Sequence, residues 1–283
     1  MVIHLNYPRL AMNDLELLER IVEERQRGKH RAYFNRIKEA WRMRVLKYIE
    51  IGGNSEFIEV WEEMSDPSVH GRFKNLYLFP GEQSVQKPLL ENLRNRELDY
   101  CPACGEDGTP NTLDHYLPKD IFPEFSVTLV NLFPMCDICQ GAKGVKINDD
   151  EGNRFFIHPY FDDFIEQQVL VLDIYEPFNA PTSIELYPHP DIDRELQKLI
   201  SRHITELEIP ARYNRYFKSN YLRLLRLVGK IRRKGLNVRE QLENFRDMAF
   251  EKSINSWGYI FYDGVLRNEN LMEYLSNEVL PMV

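Results

Sequence analysis

All four cysteines of this chain fall into two pairs, Cys101-x-x-Cys104 and Cys136-x-x-Cys139. No other feature of the sequence constrains the fold as strongly. A CxxC pair brings two thiols within reach of one ion, and two pairs supply the four thiolates of a tetrahedral Zn²⁺ site. In a reducing cytosol, disulfides are not the expected use of such thiols. A redox role is the remaining alternative, and it predicts reactive thiols instead of bound metal. Structural Zn²⁺ held by Cys101, Cys104, Cys136 and Cys139 would pin both ends of the intervening loop. A segment with little core of its own needs that closure, because metal-binding free energy is then folding free energy.

The loop differs in character from the chain around it. Gly105, Gly108, Pro110, Pro118, Pro123 and Pro134 interrupt residues 101–145, so short strands and turns are expected there. Before it, Asn13 can cap a helix over roughly 14–27. A second helix is expected at 29–50, where Phe34, Ile37, Trp41, Val45 and Ile49 recur at near-helical spacing. Shorter helices are expected near 56–64 and 84–97. Beyond the loop, Phe155–Ile157, Gln168–Ile174 and Thr182–Tyr187 read as strands. Helix resumes from Asp191 to Lys234 with a break near Pro210, then over 237–252 and 256–279. The fold class is therefore α+β, a metal-stapled core between mainly helical flanks. Its parts are an N-terminal helical region 1–98, the core 99–165, and a C-terminal region 166–283. Without repeats or low-complexity linkers, they are expected to form one body.

Hydrophobic residues make up 43% of the 283-residue chain, enough for a substantial core. No apolar run is long enough to span a bilayer, and Met1 to Met12 lacks the pattern of a secretory signal. A cytoplasmic protein without a membrane partner is expected. The net charge of −8 argues against uniform coating of a polyanion, but the basic residues are clustered. Between Arg25 and Lys47 lie Arg25, Arg27, Lys29, Arg31, Arg36, Lys38, Arg42, Arg44 and Lys47, with Glu39 the sole acid. These spread around their helix. Between Arg212 and Lys234 every charge is basic. At about 100° per residue, Arg212, Arg215, Arg223, Arg226, Lys230 and Arg233 share one face, opposite Tyr213, Phe217, Tyr221, Leu224, Leu227, Val228 and Ile231. Such a stripe is either solvated surface or a track for phosphates.

Three features converge between the cysteine pairs: the pairs themselves, Asp114-His115, and Asn131 shortly before the second pair. With Leu117-Pro118-Lys119, Asn131-Leu132 and Lys143-Gly144, the segment resembles the HNH (ββα-metal) endonuclease superfamily, in its members with two CxxC pairs. It also resembles nuclease subunits of bacterial anti-phage systems such as Septu. The match covers roughly a sixth of the chain, and the flanking helices contribute nothing to it. The resemblance implies a β-hairpin and helix gripping one divalent cation, and hydrolysis of phosphodiester bonds in DNA. His115 would be the general base that activates water, and Asp114 a ligand of the catalytic Mg²⁺ or Mn²⁺. Asn131 would hold the hairpin and orient the histidine loop. Lys119 and Lys143 would contact phosphate, as would Arg215, Arg223, Arg226 and Lys230 on the basic helix.

The chain departs from the family at Gln140, where Asn or His usually provides a second ligand to the cation. A glutamine amide oxygen can bind a hard cation but is held less firmly, being one methylene longer. His158 lies close behind the motif, as an extra metal or phosphate ligand or as a histidine bonded to backbone. The absence of a Gly-x-x-x-x-Gly-Lys-Ser/Thr string means that ATP-driven work would fall to a protein partner supplying an ATPase or target recognition. The alternative to an enzyme is a non-catalytic zinc module binding nucleic acid or protein. It accounts for the cysteines and the basic helix, but not for Asp114-His115.

Overall fold

A computed structural model describes residues 3–7, 10–180 and 183–281. Its contacts divide into two compact units. One comprises His4–Leu98 and Thr109–Asp163, the other Asp99–Gly108, Ile3 and the chain from Phe164 onward.

In the first of these units, α1 (Asp14–Glu24) opens on a capping box: the Asn13 side chain accepts from Glu16 N while Glu16 reaches back to Asn13 N. Helix α2 (Arg31–Glu50) buries Phe34, Ile37, Trp41, Val45 and Tyr48 along one face. Tyr48 takes the inward place and Ile49 stays at the surface. The helix expected at 56–64 is instead two short 3-10 turns, Ser55–Phe57 and Glu62–Ser65. Between them, the β-branched Ile58 holds extended backbone, which an α-helix cannot include. The stretch that follows forms α3 (Pro67–Leu78), with Asp66 as N-cap and Pro67 at the first turn. Helix α4 (Gln86–Arg94) buries Leu89, Leu90 and Leu93. Trp41, Phe34 and Phe73 interlock at ring distances of 4.9–6.2 Å, packing α2 against α3.

Strand β1 (Thr112–His115) then pairs antiparallel with β2 (Leu132–Met135), setting Asp114 opposite Phe133 and His115 opposite Leu132. Helix α5 (Asp137–Lys143) follows directly. The expected strand Phe155–Ile157 is not one. Backbone pairing is limited to an isolated antiparallel bridge between Asn148 and Arg154, with Phe155 N donating to Ile147 O at 2.9 Å, and the Phe156 carbonyl accepts the Tyr116 hydroxyl at 2.8 Å.

In the second unit, β3 (Leu170–Ile174) and β4 (Ile184–Pro188) form an antiparallel hairpin. The expected strand start at Thr182 lies outside the described residues, as do Pro8 and the Arg27 side chain. Helices α6 (Arg194–Glu206) and α7 (Ile209–Arg233) are separated at Glu208, whose left-handed φ of 54° breaks the helix just before Pro210. Asn237 caps α8 (Val238–Phe250). The tail forms two helices, α9 (Trp257–Arg267) and α10 (Glu269–Asn277), because the Asn268 side chain caps the second at Leu271 N. No helix among the described residues is long and apolar enough to cross a membrane.

Gly53 ties the turn after α2 to the unit's interior. Its φ is +66°, and a Cβ there would meet Tyr48 Oη at 2.7 Å and His158 Cδ2 at 3.0 Å. Gly235, also at +66°, faces open space. Gly235→Ala is expected to cost about 1 kcal/mol of backbone strain. Gly53→Ala adds a clash with a packed interior and should cost about 1–3 kcal/mol more. Denaturant unfolding of both variants measures the difference, and equal losses would contradict this account of Gly53.

Candidate metal centre and active site

The first cysteine pair sits on a tight backbone knuckle. Gly105 N donates to Cys101 O at 2.7 Å and Cys101 N to Glu106 O at 3.0 Å, with Gly105 at a φ of +70°. Trp257 Nε1 donates to the Cys104 carbonyl at 2.6 Å, and His203 Nε2 bonds the Ala103 carbonyl at 2.8 Å. The second pair straddles the start of α5. Cys136 is its N-cap, with Cys139 N 3.5 Å from Cys136 Sγ. The four ligand sulfurs all lie within 4.8 Å of one another. A tetrahedral Zn²⁺ with bonds of about 2.3 Å requires sulfurs about 3.8 Å apart. The cluster therefore suits a metal such as zinc with a small inward adjustment.

Asp114 and His115 end β1, where the pleat sends their side chains to opposite faces. His115 is 4% exposed. Its Nε2 lies 3.0 Å from the Ser126 carbonyl, which only accepts, so Nε2 carries the ring proton and Nδ1 the lone pair. Burial pulls its pKa down to about 4, an effect partly opposed by the Ser126 carbonyl. The imidazole is thus neutral at pH 7. Tyr77, from α3, packs its ring edge-on at 4.4 Å and donates its hydroxyl to Leu113 O at 3.1 Å. Ser126 is itself fixed by its hydroxyl, which donates to Phe73 O in α3 at 2.8 Å. Tyr77 and Ser126 carry no motif signal, being remote in sequence or ordinary in type, and sequence reading misses them.

Asn131 is fully buried and its side chain is completely used. Oδ1 accepts from Leu117 N at 2.8 Å and Tyr48 Oη at 3.0 Å, while Nδ2 donates to Leu117 O and Phe125 O, each at 3.1 Å. His158, equally buried, continues this chain. Its Nδ1 accepts from Tyr160 N at 3.1 Å, leaving Nε2 to donate to Tyr48 Oη at 3.0 Å. Burial holds its pKa well below the usual range, with Arg154 adding to the effect. His158 is therefore a neutral internal support in this structure, its two nitrogens both engaged, and not a ligand facing the site.

Lys143, expected at phosphate, is turned inward and is 1% exposed. Its ammonium donates to the His115 carbonyl at 2.7 Å and lies 3.0 Å from Asp114 Oδ2. The helix places it one turn beyond Cys139, beneath β1, so its charge serves the protein's own carboxylate. Gln140 Nε2 reaches the other oxygen, Asp114 Oδ1, at 3.2 Å. Lys119 is partly exposed and 3.8 Å from Asp120 Oδ2. On α7, Arg215, Arg223, Arg226 and Lys230 are exposed, whereas Arg212, grouped with them by helical angle, is buried and paired with Glu106 at 3.1 Å. Helical periodicity gives an angle, and the packing at this end of α7 covers it.

Both Asp114 oxygens are engaged, Oδ2 by the Lys143 ammonium and Oδ1 by the Gln140 amide nitrogen, so a divalent cation held there would have to take the place of these donors. Treating the protein with a thiol-reactive mercurial and EDTA is expected to release one equivalent of zinc and lower Tm by several degrees. Cys104→Ser should purify with little metal. Full thermal stability after metal release would remove the structural role.

The chain is similar to two curated proteins over limited stretches. It is 46% identical to Protein ea31 of Escherichia phage lambda over 65 residues, which are 23% of this chain and 22% of that protein. It is 32% identical to Septu protein PtuB of Bacillus thuringiensis over 83 residues, 29% of this chain and 31% of that protein. The chain thus matches less than a third of the length of either relative. No family model matches it, and no solved structure matches it.

Proposed function

We propose that the protein is a metal-dependent endonuclease of HNH type that hydrolyses phosphodiester bonds in DNA. The observation that carries this reading is the state of His115: neutral, tethered by Nε2 to the Ser126 carbonyl, and left with a lone pair on Nδ1. A neutral imidazole of fixed tautomer is what a general base must be to take a proton from water. Asp114 would supply a carboxylate ligand beside it, and Gln140, whose Nε2 donates to Asp114 Oδ1 at 3.2 Å, would supply its amide oxygen only after turning that amide over. A divalent cation such as Mg²⁺ or Mn²⁺ bound there would polarise the scissile phosphate and stabilise the departing oxygen. Asn131 and Tyr77 keep the base in place, and Lys143 fixes Asp114 and the end of β1. Lys119 and the exposed cations of α7 are assigned to the DNA backbone, contacts that carry little sequence information.

The similarity to Septu protein PtuB supports an anti-phage defence role with a protein partner; we place the chain there as a cytoplasmic effector subunit whose partner supplies ATPase activity or target recognition. A non-catalytic zinc module is the second reading. It is favoured by Lys143, whose ammonium already neutralises the one carboxylate of the site.

Plasmid cleavage tests the choice. Wild-type protein with Mg²⁺ or Mn²⁺ is expected to nick or cut DNA, and His115→Ala should lower the rate at least 100-fold, the span typical of lost general-base catalysis. DNA binding that survives with no cleavage in either protein, and none in Gln140→Asn or with a partner added, would leave the second reading. The pH profile is a further check. Because the folded pKa of His115 is lowered to about 4, its base form prevails above about pH 5. The rate should then show no fall near the usual histidine value of about 6.5 as pH drops. Stability follows the same sign: the contribution of neutral His115 is complete above about pH 6.5 and declines as pH falls toward 4, where the unfolded chain alone gains the proton.

A further inference from the structure

Helix α4 ends close to the candidate site on a cation with no anion assigned to it. Arg94, in the last turn of α4, is exposed and makes no ion pair among the described residues. Its guanidinium carbon lies 5.2 Å from the centroid of the Tyr77 ring. The same ring meets the His115 imidazole at 4.4 Å. The guanidinium therefore stands within about 10 Å of the base, on a ring whose position is set by the hydroxyl bond to Leu113 O. Several other cations of the same unit are engaged. Lys143 is buried against Asp114, Lys74 is paired with Asp120, and Arg44 with Glu124.

We propose that Arg94 is a substrate-binding residue that holds a phosphate of the nucleic-acid backbone neighbouring the one to be cut. Tyr77 is the positioning residue that keeps guanidinium and imidazole in register. The inference rests on the phosphodiesterase reading, and it draws on the helical flank, which shares nothing with the hairpin motif. A guanidinium lying on an aromatic face keeps its N–H fork available to a phosphate, with less freedom left to lose on binding. Its planar fork also matches two phosphate oxygens at once.

The test is binding of a fluorescent duplex oligonucleotide to the full chain in EDTA, across a range of salt. Arg94→Gln is expected to weaken affinity on the order of tenfold at low salt and to lower the slope of log Kd against log salt by about 1. Arg94→Lys should keep the slope, and Tm should be unchanged in both. Tyr77→Phe keeps the ring but loses its tether to Leu113 O and should bind between wild type and Tyr77→Leu, which should weaken binding with the slope preserved. Unchanged affinity and slope in Arg94→Gln would overturn the proposal, as would a wild-type protein that does not bind duplex. If the wild type binds, Arg94→Gln shows the shift and no plasmid is cut, the nuclease reading fails while the Arg94 site stands. If plasmid is cut and Arg94→Gln binds normally, the Arg94 site alone fails.

Discussion

The geometry of the site depends on one buried amide. Asn131 satisfies all the bonding capacity of its side chain against Leu117, Phe125 and Tyr48, with no exposure to solvent. Its own backbone carbonyl accepts from Tyr116 N at 2.8 Å, so residues on both sides of the 116–126 loop are tied to one position. That loop delivers the Ser126 carbonyl to His115, and the carbonyl decides which imidazole nitrogen bears the proton. A buried network of this kind is of high consequence, because each member that loses its partner leaves a desolvated polar group behind. The chemistry proposed for His115 therefore rests on an interaction that touches neither substrate nor metal.

Lys143 and Asp114 show a second constraint. A carboxylate buried at the end of a strand is costly unless a cation or donors compensate it. Here the compensation comes from Lys143 and Gln140, both on α5, whose start is set by Cys136. The cysteine pair thus governs the placement of the charge through the helix it begins. Partial neutralisation by Lys143 would also lower the pull of Asp114 on any cation placed there.

Much of this was legible in the sequence, and the reasons for the remainder are physical. The helical flanks follow from apolar spacing and caps, as at Asn13, Asn237 and the buried face of α2. The cysteine cluster follows from spacing alone, since a shared ion requires it. Local pattern misled in two places: the pairing near Phe155 stops at a single bridge, and the extended backbone of Ile58 interrupts a helix. The supports of the site are legible least of all. Tyr77, Ser126 and Tyr48 act through contacts between distant parts of the chain, and Lys143 faces inward because of what lies under α5. Residue type and spacing point to candidate chemical groups more readily than to the groups packed around them.

The bond from His158 to Tyr48 joins residues 110 positions apart, and that from Tyr48 to Asn131 joins residues 83 apart. Contacts of such separation form only after the entropy of closing long loops has been met. A chain still leaving the ribosome can have Asp114, His115 and both cysteine pairs while lacking His158. In that interval Tyr48 has no imidazole behind it, although Asn131 can already bond Leu117 and Phe125. The order of synthesis therefore makes the Tyr48–His158 bond one of the later contacts of this buried network to become available.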